Sequence, residues 1–170
     1  MLPMVAYVED HDLWRHSLAN SQTIKAAMRS YPLDFGVWDD LSNDLCGDRA
    51  EIVKSGLHIQ RRERQIVDDS VSKAVKVSVA GHLVPCVNHT TNLMSDVVGQ
   101  LAEGEPFAIG WFYKAANDTF VYSLRSREGG VDVSKVAEEF GGGGHARAAG
   151  FSLDYLLRPY VETTKVEEPF

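Results

Sequence analysis

The chain has 170 residues, 44% of them apolar and 24% charged, and a formal net charge of −7. That is the composition of an ordinary soluble globular protein, long enough for one compact domain or for a small domain plus an extra segment. It excludes a membrane span, since no apolar run approaches the roughly 18 residues needed, and it excludes wrapping of nucleic acid by bulk positive charge, so that any phosphate site has to be local.

The opening MLPMVAYVEDHDLW does not have the form of a signal peptide. Within it, MVAYV reads as a short apolar strand ending in the acidic cluster Glu9-Asp10-His11-Asp12. LWRHSL and TIKAAMRSYP read as short helices, the second stopping near Pro32, and FGVWDDLSND sets Phe35 and Trp38 among turn formers. A lone strand with no partner nearby is not stable. The first forty-odd residues therefore read as a partly irregular segment, with the aromatic residues Trp14, Phe35 and Trp38 exposed or covered by self-association.

From about Arg49 to Val77 the spacing predicts a long helix, with Val53, Leu57, Val67, Val71 and Val75 on its apolar stripe and Gly56 weakening its first turns. The cluster Arg61, Arg62 and Arg64 is interleaved with acids and reads as a solvated face. VKVSV and LVPCVN form two strands about the turn Gly81-His82, with Pro85 indicating an edge position or irregular pairing. LMSDVVGQLAEG reads as a helix with Leu93, Met94, Val97, Val98 and Leu101 inward. FAIGWFY and TFVYSLR are strands joined as a hairpin around Asn117-Asp118. The helix VSKVAEEF follows, with Asp132 as its N-cap and Val133, Val136, Ala137 and Phe140 on one face. The fold class is α/β, a mixed sheet of four to five strands with packed helices. Cys46 and Cys86 lie outside any CxxC pattern and read as buried free thiols in a reducing cytoplasm.

After that helix comes FGGGGHARAAGF. A flexible linker would be longer and flanked by polar sequence, whereas both flanks here look packed. Gly141 is placed to be the left-handed residue closing the helix. Side-chain-free backbone lets N–H groups converge on a phosphate or carboxylate, and a helix starting at His145 would add roughly half a positive charge. His145 can donate a ring N–H to the same ligand; Arg147 adds a cation or lies solvated. The run has neither the GxxxxGKS spacing of a P-loop nor the context of a dinucleotide fold.

SLRSREGGVDVSKVAEEFGGGGHARAAGF resembles the end of the DHH-associated domain, the C-terminal substrate-binding domain of DHH-family phosphoesterases. The family includes RecJ-like exonucleases, oligoribonuclease-like enzymes and cyclic-dinucleotide phosphodiesterases, and a similar domain occurs in alanyl-tRNA synthetases. The resemblance covers residues 49–160, with Ala146 standing where many relatives have proline. It implies that Gly142, Gly143, Gly144 and His145 form the substrate-phosphate loop, with Arg125 and Ser126 beside it. Arginine offers a planar fork suited to phosphate oxygens, although Arg125 also reads as a surface cation on an edge strand.

YVEDHDLW is similar to the stretch that closes the catalytic domain in the oligoribonuclease-like branch. It implies Asp10, or else Asp12, as one ligand of a paired Mn2+ or Mg2+ site, ions that favour carboxylate oxygen. Read without the family, Asp12 caps the LWRHSL helix and Asp10 is a solvated acid. The DxD motif and Asp-His-His triplet that carry the family's two metals are not in residues 1–170.

The resemblance thus divides the chain into a remnant of the catalytic domain with a linker (1–46), a DHH-associated substrate-binding domain (47–160) and a polar tail (161–170). The expected role is binding a short oligonucleotide, nucleotide or other phosphate-bearing ligand in a cytoplasmic setting. The alternative is a non-catalytic nucleotide-sensing or nucleic-acid-binding module. Hydrolysis needs two metals, so this chain by itself is expected to bind, not cut, and to hold no cofactor alone. A homodimer, or a catalytic half supplied in trans, completes the expected partners.

Overall fold

The computed structural model describes residues 3–13, 15, 17–90 and 92–160. It divides into two compact units, Met1–Gln65 and Ile66–Phe170.

In the first unit MVAYV is helical, not a strand: it lies in α1 (Pro3–Asp12). Proline is preset for a first helical position, and Met4, Tyr7 and Asp10, three apart, are buried together on one face. A five-residue apolar run cannot by itself distinguish strand from helix. The described residues of LWRHSL form no helix, and Trp14 and His16 lie outside the described residues. After α2 (Ser21–Met28), FGVWDDLSND proves to be the start of α3 (Phe35–Cys46). The Asp34 carboxylate caps it by accepting from the Val37 N–H at 3.1 Å, and Leu41 and Leu45, one turn apart, turn inward. Phe35 is 93% exposed, while Trp38 packs partly against the core.

The long helix is α4 (Ala50–Val71). In this unit it buries Ile52 and Gly56, while Leu57, expected inside, is exposed. Ile52 joins Met4, Tyr7, Ile24, Leu41 and Leu45 in one core. Arg49 closes that core at one side, donating to the Leu45 carbonyl (2.8 Å) and to the Tyr7 hydroxyl (3.0 Å). Cys46 is exposed, so only one of the two thiols expected inside is there.

The second unit is built on a six-stranded sheet, one strand more than the sequence suggested. The strands are β1 (Val75–Val79), β2 (His82–Asn88), β3 (Ala108–Lys114), β4 (Thr119–Arg125), β5 (Gly143–His145) and β6 (Ala148–Leu153), in the order β1-β2-β3-β4-β6-β5. All neighbours are antiparallel except β2 and β3, whose parallel pairing follows a crossover through α5 (Met94–Leu101). Val75 and Val77, where the expected helix end overlaps the expected strand VKVSV, belong to the strand, β1. Pro85 sits in an internal strand, but the pairing of β2 with β3 begins only at Cys86.

The additional strand arises because His145 does not start a helix. The residues on either side of Ala146-Arg147 pair with each other as a hairpin, and Ala148–Leu153 pair along β4. The preceding helix, α6 (Val133–Glu139), matches its expected caps: Asp132 accepts from the Ser134 N–H at 3.0 Å, and Gly141 closes it at φ 74°. The Gly142 N–H reaches the Ala137 carbonyl and the Gly141 N–H that of Glu138, the paired bonds of a left-handed helix terminus.

One face of the sheet forms the main core, where Val77, Ile109, Tyr122, Leu124, Val136 and Phe151 meet. Cys86 lies in it, and burial pushes its thiol up to about 12. Elsewhere Val67 of α4 packs with Val87, Leu93 and Val97, and Val98 of α5 packs with Ala108.

Candidate anion site

Strand alternation divides β4. Tyr122 and Leu124 enter the main core, so Ser123 and Arg125 project from the opposite face. Register then carries that face across the sheet. Arg125 lies opposite Ala148, and Ala148 opposite His145. Residues directly opposite in an antiparallel pair share a face. Arg125, Ala148 and His145 therefore form one row over three strands, and Ser123, Gly150 and Gly143 form the next. Two strand spacings separate the Arg125 and His145 backbones by roughly 10 Å, with one methyl group between them.

The Arg125 guanidinium is partly buried and held at two points. Nη1 donates to the Leu124 carbonyl and Nη2 to the Ser95 hydroxyl of α5, both at 2.8 Å. Burial lowers its pKa, although arginine stays charged. Among the described residues no carboxylate lies within ion-pair distance of it. A desolvated cation without a counter-charge is costly, and an anion would relieve it.

The four glycines are there for different reasons. Gly141 takes a left-handed φ. At Gly142 an added Cβ would fall 2.2 Å from the Gly150 carbonyl and 2.6 Å from Phe151 Cβ. Gly144 has φ 147°, and a Cβ there would lie 2.6 Å from the Ala148 carbonyl. Gly143 differs, with nothing within 4 Å of where its Cβ would be. Packing and backbone conformation account for three of the run; the fourth faces open space beside Arg125 and His145.

Ser126 lies away from that face. It is buried, and its hydroxyl donates to the Ala146 carbonyl at 3.2 Å, while its N–H reaches the Arg147 carbonyl. With Val133, whose N–H also meets the Ala146 carbonyl at 2.9 Å, it fastens the β5–β6 turn from beneath. His145 is exposed, and β5 is the last strand of the sheet. The backbone donors near a ligand here are those of an edge strand, and the helix-terminus charge expected at His145 is absent because no helix starts there. Ser95 gave no signal in the sequence, where it is a polar residue in a helix; only the packing of α5 on β4 brings it to Arg125.

In the first unit Asp10 is 3% exposed and fully occupied. Oδ1 accepts from the Ser17 N–H (2.8 Å) and hydroxyl (2.6 Å), and Oδ2 from the Ser21 hydroxyl (2.6 Å). Those hydroxyls hold its carboxyl well below the usual range. Asp12 is exposed beside His11. Among the described residues no group of three or more His, Cys, Asp or Glu is placed to hold a metal ion.

Residues 80–163 match the family model described as the DHHA1 domain. Residues 80–163 of the chain thus carry a DHH-associated (DHHA1) domain. Over 161 residues it is 26% identical to an uncharacterized protein of Acanthamoeba polyphaga mimivirus, covering 88% of this chain and 36% of that one. Among solved structures it is similar in fold to PggH, the pGpG-specific phosphodiesterase of Vibrio cholerae, with a TM-score of 0.54 at 13% identity, covering 78% of this chain and 52% of that one. A looser likeness, with a TM-score of 0.39 at 17% identity, is to an uncharacterized protein of Helicobacter pylori G27, covering 91% of this chain and 54% of that one. The chain spans only about a third of the mimivirus protein and half of the phosphodiesterase. Among the described residues no helix is long and apolar enough to cross a membrane.

Proposed function

We propose that the second unit grips a phosphate of a nucleotide or short oligonucleotide, as the substrate-binding domain of a DHH-type phosphoesterase. The observation that carries this reading is Arg125: partly buried, without a carboxylate partner among the described residues, and in one row with His145. Its fork suits phosphate oxygens, the His145 ring supplies a further donor, and Gly143 leaves room for close approach. Gly142, Gly144 and Ser126 serve by shaping and fastening the loop. PggH is named for pGpG, which supports a phosphate-bearing nucleotide as the ligand class here.

In this reading the grip positions the ligand and the bond is cut elsewhere. Positioning converts binding energy into rate by holding the reacting groups together. The Mn2+ or Mg2+ pair belongs to a catalytic segment carrying DxD and Asp-His-His motifs, with which this domain works in cis or in trans. Asp10, with Asp12 as the alternative, contributes at most one carboxylate to such a centre.

Calorimetry with pGpG and with GpG, which lacks the terminal phosphate, tests the reading. The parent chain should bind pGpG more tightly. Arg125→Ala should remove most of that advantage, and His145→Ala should cost on the order of 1–3 kcal/mol, as for one charge-assisted hydrogen bond. Equal affinity for both dinucleotides, or an unaltered affinity in Arg125→Ala, overturns it. The chain with Mn2+ should leave pGpG intact; turnover abolished by Asp10→Ala would show a complete catalytic site here.

A further inference from the structure

We infer that Ser95 is the positioning residue for Arg125, fixing the guanidinium beside α5 in the orientation that meets a phosphate. The inference rests on the phosphate-grip reading above and adds a residue that neither the motif nor the family resemblance indicates.

An arginine side chain has many rotamers and loses considerable entropy when fixed. At Arg125 two bonds do the fixing, to the Leu124 carbonyl of its own strand and to the Ser95 hydroxyl. The first turns on the backbone of the preceding residue, so Ser95 is the side chain that decides where Nη2 points. It occupies the second position of α5. The amino end of a helix carries partial positive charge and disfavours a cation. Without an acceptor there, the guanidinium has reason to swing away. With it, two of the five guanidinium donors are committed and the rest remain for a ligand.

A second arginine, just beyond the end of β4, also ties α5 to this end of the sheet. Arg127 Nε donates to the Gly99 carbonyl at 3.1 Å, and Nη2 pairs with Glu103 at 3.2 Å. Ser95 and Gly99 are four residues apart, so they lie on one face of α5. Arg127 thus keeps α5 in register against β4, and Ser95 meets Arg125 one turn further along. Ser95 is exposed, so removing its hydroxyl leaves no cavity.

The test is calorimetry of the full chain with pGpG on Ser95→Ala, Ser95→Thr, Arg125→Ala and the Ser95→Ala/Arg125→Ala pair. Ser95→Ala should weaken binding about three- to tenfold, the range for one hydrogen bond, with an unchanged melting temperature. Ser95→Thr, which keeps the hydroxyl, should restore it. In the Arg125→Ala background Ser95→Ala should add nothing, a coupling that a purely structural role would not give. The Arg125 Nε–Hε resonance should shift and sharpen in Ser95→Ala as the side chain becomes mobile. If Arg125→Ala itself leaves pGpG affinity intact, the phosphate reading fails whatever Ser95 does. If Arg125→Ala weakens binding but Ser95→Ala does not, or weakens it equally in both backgrounds, the positioning role alone is wrong.

Discussion

Gly56 in α4 lies against the backbone of Thr23 in α2: a Cβ on Gly56 would fall 2.0 Å from the Thr23 carbonyl oxygen and 2.8 Å from its Cγ2. The glycine that weakens the helix in isolation is what lets the two helices meet. Gly56→Ala gains up to about 1 kcal/mol of helix propensity, but must push backbone apart, where overpacking typically costs about 1–3 kcal/mol. A net loss of stability in urea denaturation is the expected result. A more stable variant would mean that the helices part freely.

The glycine loop should respond position by position. Gly142→Ala and Gly144→Ala meet backbone atoms and should destabilise the second unit by about 1–3 kcal/mol. Gly143→Val should leave the melting temperature nearly unchanged, because nothing lies within 4 Å of its Cβ position. It should nevertheless abolish the advantage of pGpG over GpG, since the branched side chain takes the space left for the phosphate. Normal binding by a folded Gly143→Val protein would place the ligand elsewhere.

Asp10 links the first unit to acid. The Ser17 and Ser21 hydroxyls depress its pKa in the folded chain, so the folded state holds the proton less tightly than the unfolded one. Its stabilisation is complete above the unfolded value of about 3.9 and is lost as pH falls below it. Asp132, depressed by Ser134, acts in the same direction in the second unit. Asp10→Asn should lower stability at neutral pH and flatten its dependence between about pH 2 and 5. Denaturation followed across that range checks this; parallel curves for variant and parent would show that the carboxylate is not linked to folding.

Ser42 of α3 is buried, and its Oγ has no hydrogen-bond partner among the described residues. Burying an unsatisfied hydroxyl costs about 1–3 kcal/mol. Ser42→Ala removes that burden and improves helix propensity, so the midpoint of thermal unfolding should rise. A fall would reveal a partner for the hydroxyl.

What could be read beforehand was local. The Asn117-Asp118 hairpin, the Asp132 cap and the Gly141 terminus depend on neighbours in sequence, and each is where the spacing placed it. Missed features depended on distant partners. MVAYV is too short to declare a period, and the core around Tyr7 decides for helix. FGVWDDLSND carries turn-forming residues, yet Asp34 is a cap and Leu41 and Leu45 find a core. The small residues after the glycines suit helix and strand alike, and pairing with β4 decides for strand. Of the candidate site, the residue types were visible. The family resemblance put Arg125 beside the glycine loop, but the row that joins it to His145 was not legible, because it is a property of register across three strands.

The terminal strand β5 is three residues long and contains two glycines. Sheet edges invite pairing with the edge of another molecule, and very short strands are one of the ways in which proteins discourage it. A longer, branched-residue strand there would offer a neighbouring molecule a template for intermolecular sheet growth. The short, glycine-rich strand that leaves open space at Gly143 therefore also makes that flank a poor seed for aggregation.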